Sequence, residues 1–243
     1  SREMDGDAPL FTGEQVQKMK DGVDGWGNTN WYKKVFGRGS TMHHNVSASG
    51  GNDQVNFFTT IGAYQQKGNV DLHNYERYNL RENIDANITD FLEMQLGIAA
   101  RIEERENPFY TSNPNDWHNI PQQAVRALPY IPEKTMFEGK EYYTSTRTAS
   151  SPVSPLAAIN ESGYGRSNNT YVQSDLSLIY DVHGVEGLKV KFMGAYDKRF
   201  QFVKSLAIPF ETMMATLPTT STESIGYTKF TDNSGNTSLT ESA

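Results

Sequence analysis

The adjacent histidines His43 and His44 are the first residues of this 243-residue chain that could hold a metal. Neighbours on an extended strand point to opposite faces, so the pair cannot close on one ion. The chain has no Cys and no HExxH-type spacing to supply further ligands. Glu103, Glu104 and Glu106 could do acid–base work. Glycoside hydrolysis asks for two carboxyls held about 5 to 9 Å apart around a sugar, whereas clustered charges at a strand end form a solvated rim. No Ser-His-Asp arrangement suggests itself, and His118 and His183 read as loop residues. Asn-x-Ser/Thr triplets at Asn45, Asn87, Asn160, Asn168 and Asn236 arise freely in a chain this rich in Asn, Ser and Thr. The chain therefore reads as a non-enzyme with no metal and no cofactor.

Binding chemistry is better represented. Trp117, Tyr130, Tyr142, Tyr143 and Tyr164 could stack on a sugar ring or a peptide. Two other readings stay open: packing of their loop against its neighbours, and anchoring at a membrane surface. Arg81, Asp85 and Arg101 form a polar series with a second pair of readings, a lining network or direct ligand contacts.

The three charged residues sit in the stretch that organises the chain, Arg77 to Glu104. From Tyr78 the even positions read Tyr78, Leu80, Glu82, Ile84, Ala86 and Ile88, and the odd ones Asn79, Arg81, Asn83, Asp85 and Asn87. After Thr89, Asp90 and Phe91 the alternation resumes, with Leu92, Met94, Leu96, Ile98, Ala100 and Ile102 on one face. A period of two predicts a long antiparallel hairpin. Each arm is about twice the usual five or six residues and matches the roughly 9 to 11 of a tilted transmembrane strand. One face is apolar and the other carries Asn, Asp, Gln and Arg, as a wet barrel lumen would. Glu82 alone breaks the apolar series, and a bulge, a covering partner or a wetter site would each accommodate it.

Composition agrees with a barrel. Mean hydropathy is −0.64 and net charge −7. No run of about 18 apolar residues exists to make a membrane helix, while alternating strands cancel in any hydropathy window. The acidic balance disfavours nucleic acid as a partner. Absence of a signal peptide at Ser1 is expected of a cytosolic protein, a processed one or a fragment.

In chain order, residues 1–40 read as a connector with a short helix, capped by Thr12 and Gln15, stapled by Phe11 and Val16, and ended by Gly22, Gly25 and Gly27. Residues 41–204 read as barrel strands: 42–50, 54–66, the hairpin, 170–182, and a further strand from Leu188. They are interrupted at 105–168 by a long extracellular loop that holds most of the prolines and one helical turn, Gln122 to Leu128. Breaks after the first, third and fifth strands are short and the others longer, which assigns the short turns to the periplasm. Residues 205–243 read as an extracellular loop that stops before its next strand. The fold class is all-β: an antiparallel transmembrane β-barrel segment, about six strands of a larger plugged barrel, with long extracellular loops.

Several segments resemble the SusC/RagA-like TonB-dependent outer-membrane transporters of the Bacteroidota. They are Asn28-Thr29-Asn30-Trp31, Asn45-Val46-Ser47-Ala48-Ser49-Gly50-Gly51, Gly62-Ala63-Tyr64-Gln65-Gln66-Lys67-Gly68, Tyr75-Glu76-Arg77-Tyr78-Asn79-Leu80-Arg81, Ala127-Leu128-Pro129-Tyr130 and, weakly, Ser238-Leu239-Thr240-Glu241-Ser242. The resemblance implies import of an oligosaccharide or peptide across the bacterial outer membrane, driven by TonB, with a SusD-like surface lipoprotein as lid and outer-membrane lipid around the wall. No plug, TonB-contacting segment or closing strand is matched, so it implies an early barrel portion of a longer protein. Two rival readings are a small self-contained outer-membrane barrel (porin or adhesin) and a soluble glycan-binding β-sandwich.

Overall fold

A computed structural model describes residues 9–109, 120–147, 154–218, 224–232 and 237–242. In chain order the elements are α1 (Gly13–Asp21), α2 (Trp31–Val35), β1 (Ser40–Gly51), β2 (Val55–Lys67), β3 (Asn74–Thr89) and β4 (Leu92–Pro108). Then follow α3 (Ile120–Arg126), β5 (Lys134–Phe137), β6 (Lys140–Tyr143), α4 (Pro155–Glu161), β7 (Gly163–Asp181) and β8 (Lys189–Ala207). The last are β9 (Phe210–Thr216), β10 (Gly226–Asp232) and β11 (Ser238–Ser242). The chain divides into two units: Ser1–Gly37 with Pro108–Tyr164 and Leu206–Leu239, and Arg38–Asn107 with Gly165–Ser205 and Thr240–Ala243.

The second unit is built on an open seven-stranded sheet, ordered β1-β2-β3-β4-β7-β8-β11. Its first three pairings are antiparallel, and their register gathers the apolar positions on one face. Ile61 lies opposite Leu80 and Leu80 opposite Ala100; Phe57 lies opposite Ile84 and Ile84 opposite Leu96. These side chains are uncovered in the chain alone: Ile61 is 59% exposed and Phe192 on β8 65%. Glu82 has a cross-strand partner on this face, because Thr59 sits directly opposite and donates its hydroxyl to the carboxylate. Toward one end the face gives way to a polar rim, where Asn74 and Arg166 donate to Glu106 and Asn168 donates to Glu104. The breaks at 52–54 and 90–91 are short and those between β4 and β7 and between β8 and β11 longer, but the break 182–188 is no shorter than 68–73 between β2 and β3, so the expected odd-even alternation is not kept throughout.

The first unit holds the deeply buried side chains. Thr12 and Gln15 form the expected capping box, and Gly22 closes α1 in the left-handed conformation. Phe11, expected as a staple, packs edge-on to Trp26 and Tyr130 at 5.9 and 5.1 Å. Two segments of the sequence resemblance, about a hundred residues apart, meet here. Gly27 N–H donates to the Tyr130 carbonyl, Thr29 N–H to Pro129, and the Trp31 indole to Leu128. A Cβ on Gly27 would lie 2.3 Å from the Pro132 nitrogen, so this backbone crossing requires glycine.

Three expectations are corrected. The stretch 105–168 is not a featureless loop: β4 extends to Pro108, β7 begins at Gly163, and between them lie α3, the β5–β6 hairpin and α4. The hairpin turns on Glu138 and Gly139, both with positive φ, and α4 starts at Pro155 under a Ser154 cap. The helical turn expected at Gln122 to Leu128 is found at Ile120–Arg126, and Leu128 N–H instead donates to Thr146. The tail is not only loop. β9 pairs with β10, Met213 of β9 is fully buried and takes Ser145 N–H on its carbonyl, and β11 joins β8 as a seventh strand where about six were expected. Prolines and hydroxyl residues mask these elements in the sequence, because long-range partners rather than local period stabilise them.

Candidate functional site: the polar face of the sheet

Period two sets Arg81 and Asp85 on the same face of β3, with Arg101 of β4 on that face as well, opposite Asn79. Arg81 lies opposite Ala99 and Asp85 opposite Gln95. Arg81 and Arg101 share a concavity of about 310 Å³ with Thr60, Asn79, Tyr171 and Gln173. A neighbouring one of about 300 Å³ adds Asn83, Asp175 and Asp197 to Arg81. Gly97 belongs to its floor, where a Cβ would come within 2.4 Å of an Asp175 carboxylate oxygen.

Four arginines lie over tyrosine rings, and Arg81 is not among them. The Arg101 guanidinium lies 4.3 Å from the Tyr171 ring centre and Arg199 lies 5.4 Å from the same ring. Arg77 sits over Tyr64 at 5.4 Å and Arg105 over Tyr75 at 5.8 Å. Arg101 pairs with Glu103 at 3.1 Å, and Arg199 donates to Asn169 at 2.9 Å. A guanidinium held over a ring face is attracted by the ring quadrupole and can still donate its N–H groups to an acceptor.

The aromatic candidates lie elsewhere. Tyr130 packs against Phe11 and Trp26, and burial pushes its phenol pKa up. Tyr142 carries the ammonium groups of Lys140 and Lys229 at 4.7 and 5.2 Å. Tyr143 carries Lys134 at 4.8 Å and accepts from Asn160. Tyr164 opens β7. All four belong to the first unit, whereas Arg81, Asp85 and Arg101 belong to the second. Trp117, His118 and Asn236 lie outside the described residues. Tyr64, Tyr75, Arg77, Arg105, Tyr171 and Arg199 were not singled out from the sequence. The signal available for those on β3 and β4 was their odd-numbered phase, shared with Arg81 and Arg101.

The face offers charged and amide groups. Among the described residues no group of three His, Cys, Asp or Glu is placed to hold a metal. The carboxylates of the former acid–base candidates are engaged: Glu103 by Arg101, Glu104 by Asn168, and Glu106 by Arg166 at 2.7 Å.

No protein-family model matches the chain. It is 22% identical over 185 residues to TonB-dependent receptor P3 of Formosa agariphila, a match covering 76% of this chain and 18% of that protein. TonB-dependent receptor P26 of the same organism is 27% identical over 80 residues, covering 33% and 8% respectively. Among solved structures, the RagAB peptide importer in its open-open state aligns with a TM-score of 0.57 at 17% identity, over 86% of this chain and 24% of that one. Its closed-closed state aligns at 0.54 and 18%, over 82% and 23%. The chain thus spans less than a quarter of the protein in each of these matches. In sequence it is similar to TonB-dependent receptors of a Bacteroidota bacterium and in fold to the RagAB importer, in line with the SusC/RagA-like resemblance of its motifs.

Proposed function

We propose that this chain is a stretch of barrel wall from a TonB-dependent importer that takes up a nutrient across the bacterial outer membrane. The observation that carries the reading is the division of one long-stranded sheet into an apolar and a polar face, in a chain whose relatives are TonB-dependent receptors. From Leu92 to Ile102 the apolar side of β4 rises about 33 Å along the strand, at about 3.3 Å per residue. Tilted by about 40°, that spans about 25 Å, the height of a barrel's lipid-facing band. The uncovered apolar face then meets lipid, the face with Arg81, Asp85 and Arg101 lines the lumen, and the stretches 105–168 and 205–243 are extracellular. Its aromatics Tyr142, Tyr143 and Tyr164, with Trp117, are offered to cargo, while Tyr130 is structural.

The cargo class is an oligosaccharide or peptide, delivered through a SusD-like lipoprotein, with TonB supplying energy to the whole transporter. Deleting the coding gene tests this. Uptake of one class of labelled oligomers should be lost in the deletion strain, return on complementation, and be lost equally in a strain without TonB. Unchanged uptake, or recovery of the protein in the soluble fraction, would overturn the reading.

A further inference from the structure

On the polar face, cations gather toward one end. Arg77, Arg81, Arg101, Arg105 and Arg199 share that region with the carboxylates Glu103, Asp175 and Asp197, in a chain whose net charge is −7. A local excess of arginine in an acidic protein needs a reason, because like charges brought together on folding repel. Four of these arginines, all but Arg81, lie over the rings of Tyr64, Tyr75 and Tyr171, and the Nε of Arg77 is buried with no acceptor reaching it. Between the arginines the face carries the amides Asn79, Asn83 and Gln173, at the fixed spacing of a strand.

We propose that this arginine–tyrosine array is an anion-selective cargo site, and that the cargo is an acidic oligosaccharide bearing carboxylate or sulfate groups. The proposal rests on reading this face as the lumen of an importer. Guanidinium forks match planar and tetrahedral oxyanions through paired hydrogen bonds. Arg77 and Arg81 stand about 13 Å apart along β3, so several anionic groups on one chain are needed to engage the array together. The amides between them suit hydroxyl groups as both donors and acceptors. A peptide would instead be read through pockets for alternate side chains, and these concavities are rimmed by guanidinium and amide groups.

The test uses the full-length transporter that contains this segment, purified in detergent, and three probes: a hexamer of galacturonic acid, a neutral glucose hexamer and hexaglutamate. The uronate hexamer should bind best, and its affinity should fall as salt is raised from about 0.05 to about 0.5 M. Arg81→Gln and Arg199→Gln should each weaken it about tenfold, with Arg81→Lys in between, since lysine keeps the charge and loses the fork. The salt response of the unaltered protein keeps the proposal testable if a variant fails to insert. Equal binding of the neutral hexamer, a salt-insensitive affinity or full affinity in both glutamine variants would overturn it. Hexaglutamate binding as tightly as the uronate would overturn the assignment to carbohydrate. Uronate bound at the arginines but never imported in a TonB-dependent way would support the site and remove the import reading instead.

Discussion

Tyr227 donates its hydroxyl to the Gly25 carbonyl at 2.6 Å, and burial pushes its ionisation well above the ordinary value of 10.0. Above that pH an unfolded chain releases the phenolic proton while the folded one keeps it, so the folded state binds more protons and stability falls as pH rises. Below about pH 10 the contribution of the neutral phenol is fully present. Urea unfolding in detergent, followed by tryptophan fluorescence, should show stability declining as pH is raised above about 10. Tyr227→Phe should flatten that decline and lower stability at pH 8 by about 1 kcal/mol, the worth of one hydrogen bond. At this scale the sequence was least informative. Tyr130 and Tyr171 are the same residue type, yet one packs against Phe11 and Trp26 while the other carries two guanidinium groups.

The strands carry the clearest asymmetry. Ile98 and Ala99 are adjacent on β4, one on the apolar face opposite Glu82 and the other on the polar face opposite Arg81. Ile98→Arg should cost about 2 to 4 kcal/mol of folding stability near the bilayer midplane. Ala99→Gln should change it by less than about 0.5 kcal/mol, as an ordinary solvated substitution. Heat-dependent gel mobility of the full-length protein, read across a urea series in detergent or vesicles, checks both. Equal effects would mean that both faces meet water. The alternation that sets up this contrast was legible in Tyr78 to Ile102, because a two-residue period needs no knowledge of partners. The gathering of Arg101 and Arg199 over Tyr171 was not, since Tyr171 on β7 and Arg199 on β8 lie about 70 and 100 residues further along the chain than Arg101.

For the whole molecule, the turns at 52–54, 90–91 and 182–188 and the stretch 105–168 are assigned to opposite sides of the outer membrane. The chain has no native Cys, so single introduced thiols report topology without background. Met136→Cys, on the exposed β5 of the first unit, should react with a membrane-impermeant maleimide in intact cells. Glu186→Cys, in the turn between β7 and β8, should react only after the outer membrane is opened. Labelling of both in intact cells would contradict the odd-even assignment of turns.

By itself the sequence determined the strand period, the two faces and the family resemblance. Each of these is a local or ordered property of the chain. Tertiary structure decided what the proline-rich stretch 105–168 and the tail become. α4 has a local start signal in Ser154 and Pro155, hidden among the other prolines of its stretch, whereas β9 and β10 have little, and all three are held by burial of Ile159, Phe210 and Met213 and by bonds such as Ser145 to Met213. It also supplied a partner for Glu82 in Thr59 and placed β11 beside β8. These depend on contacts between residues far apart in the chain, and such pairings leave no period to read.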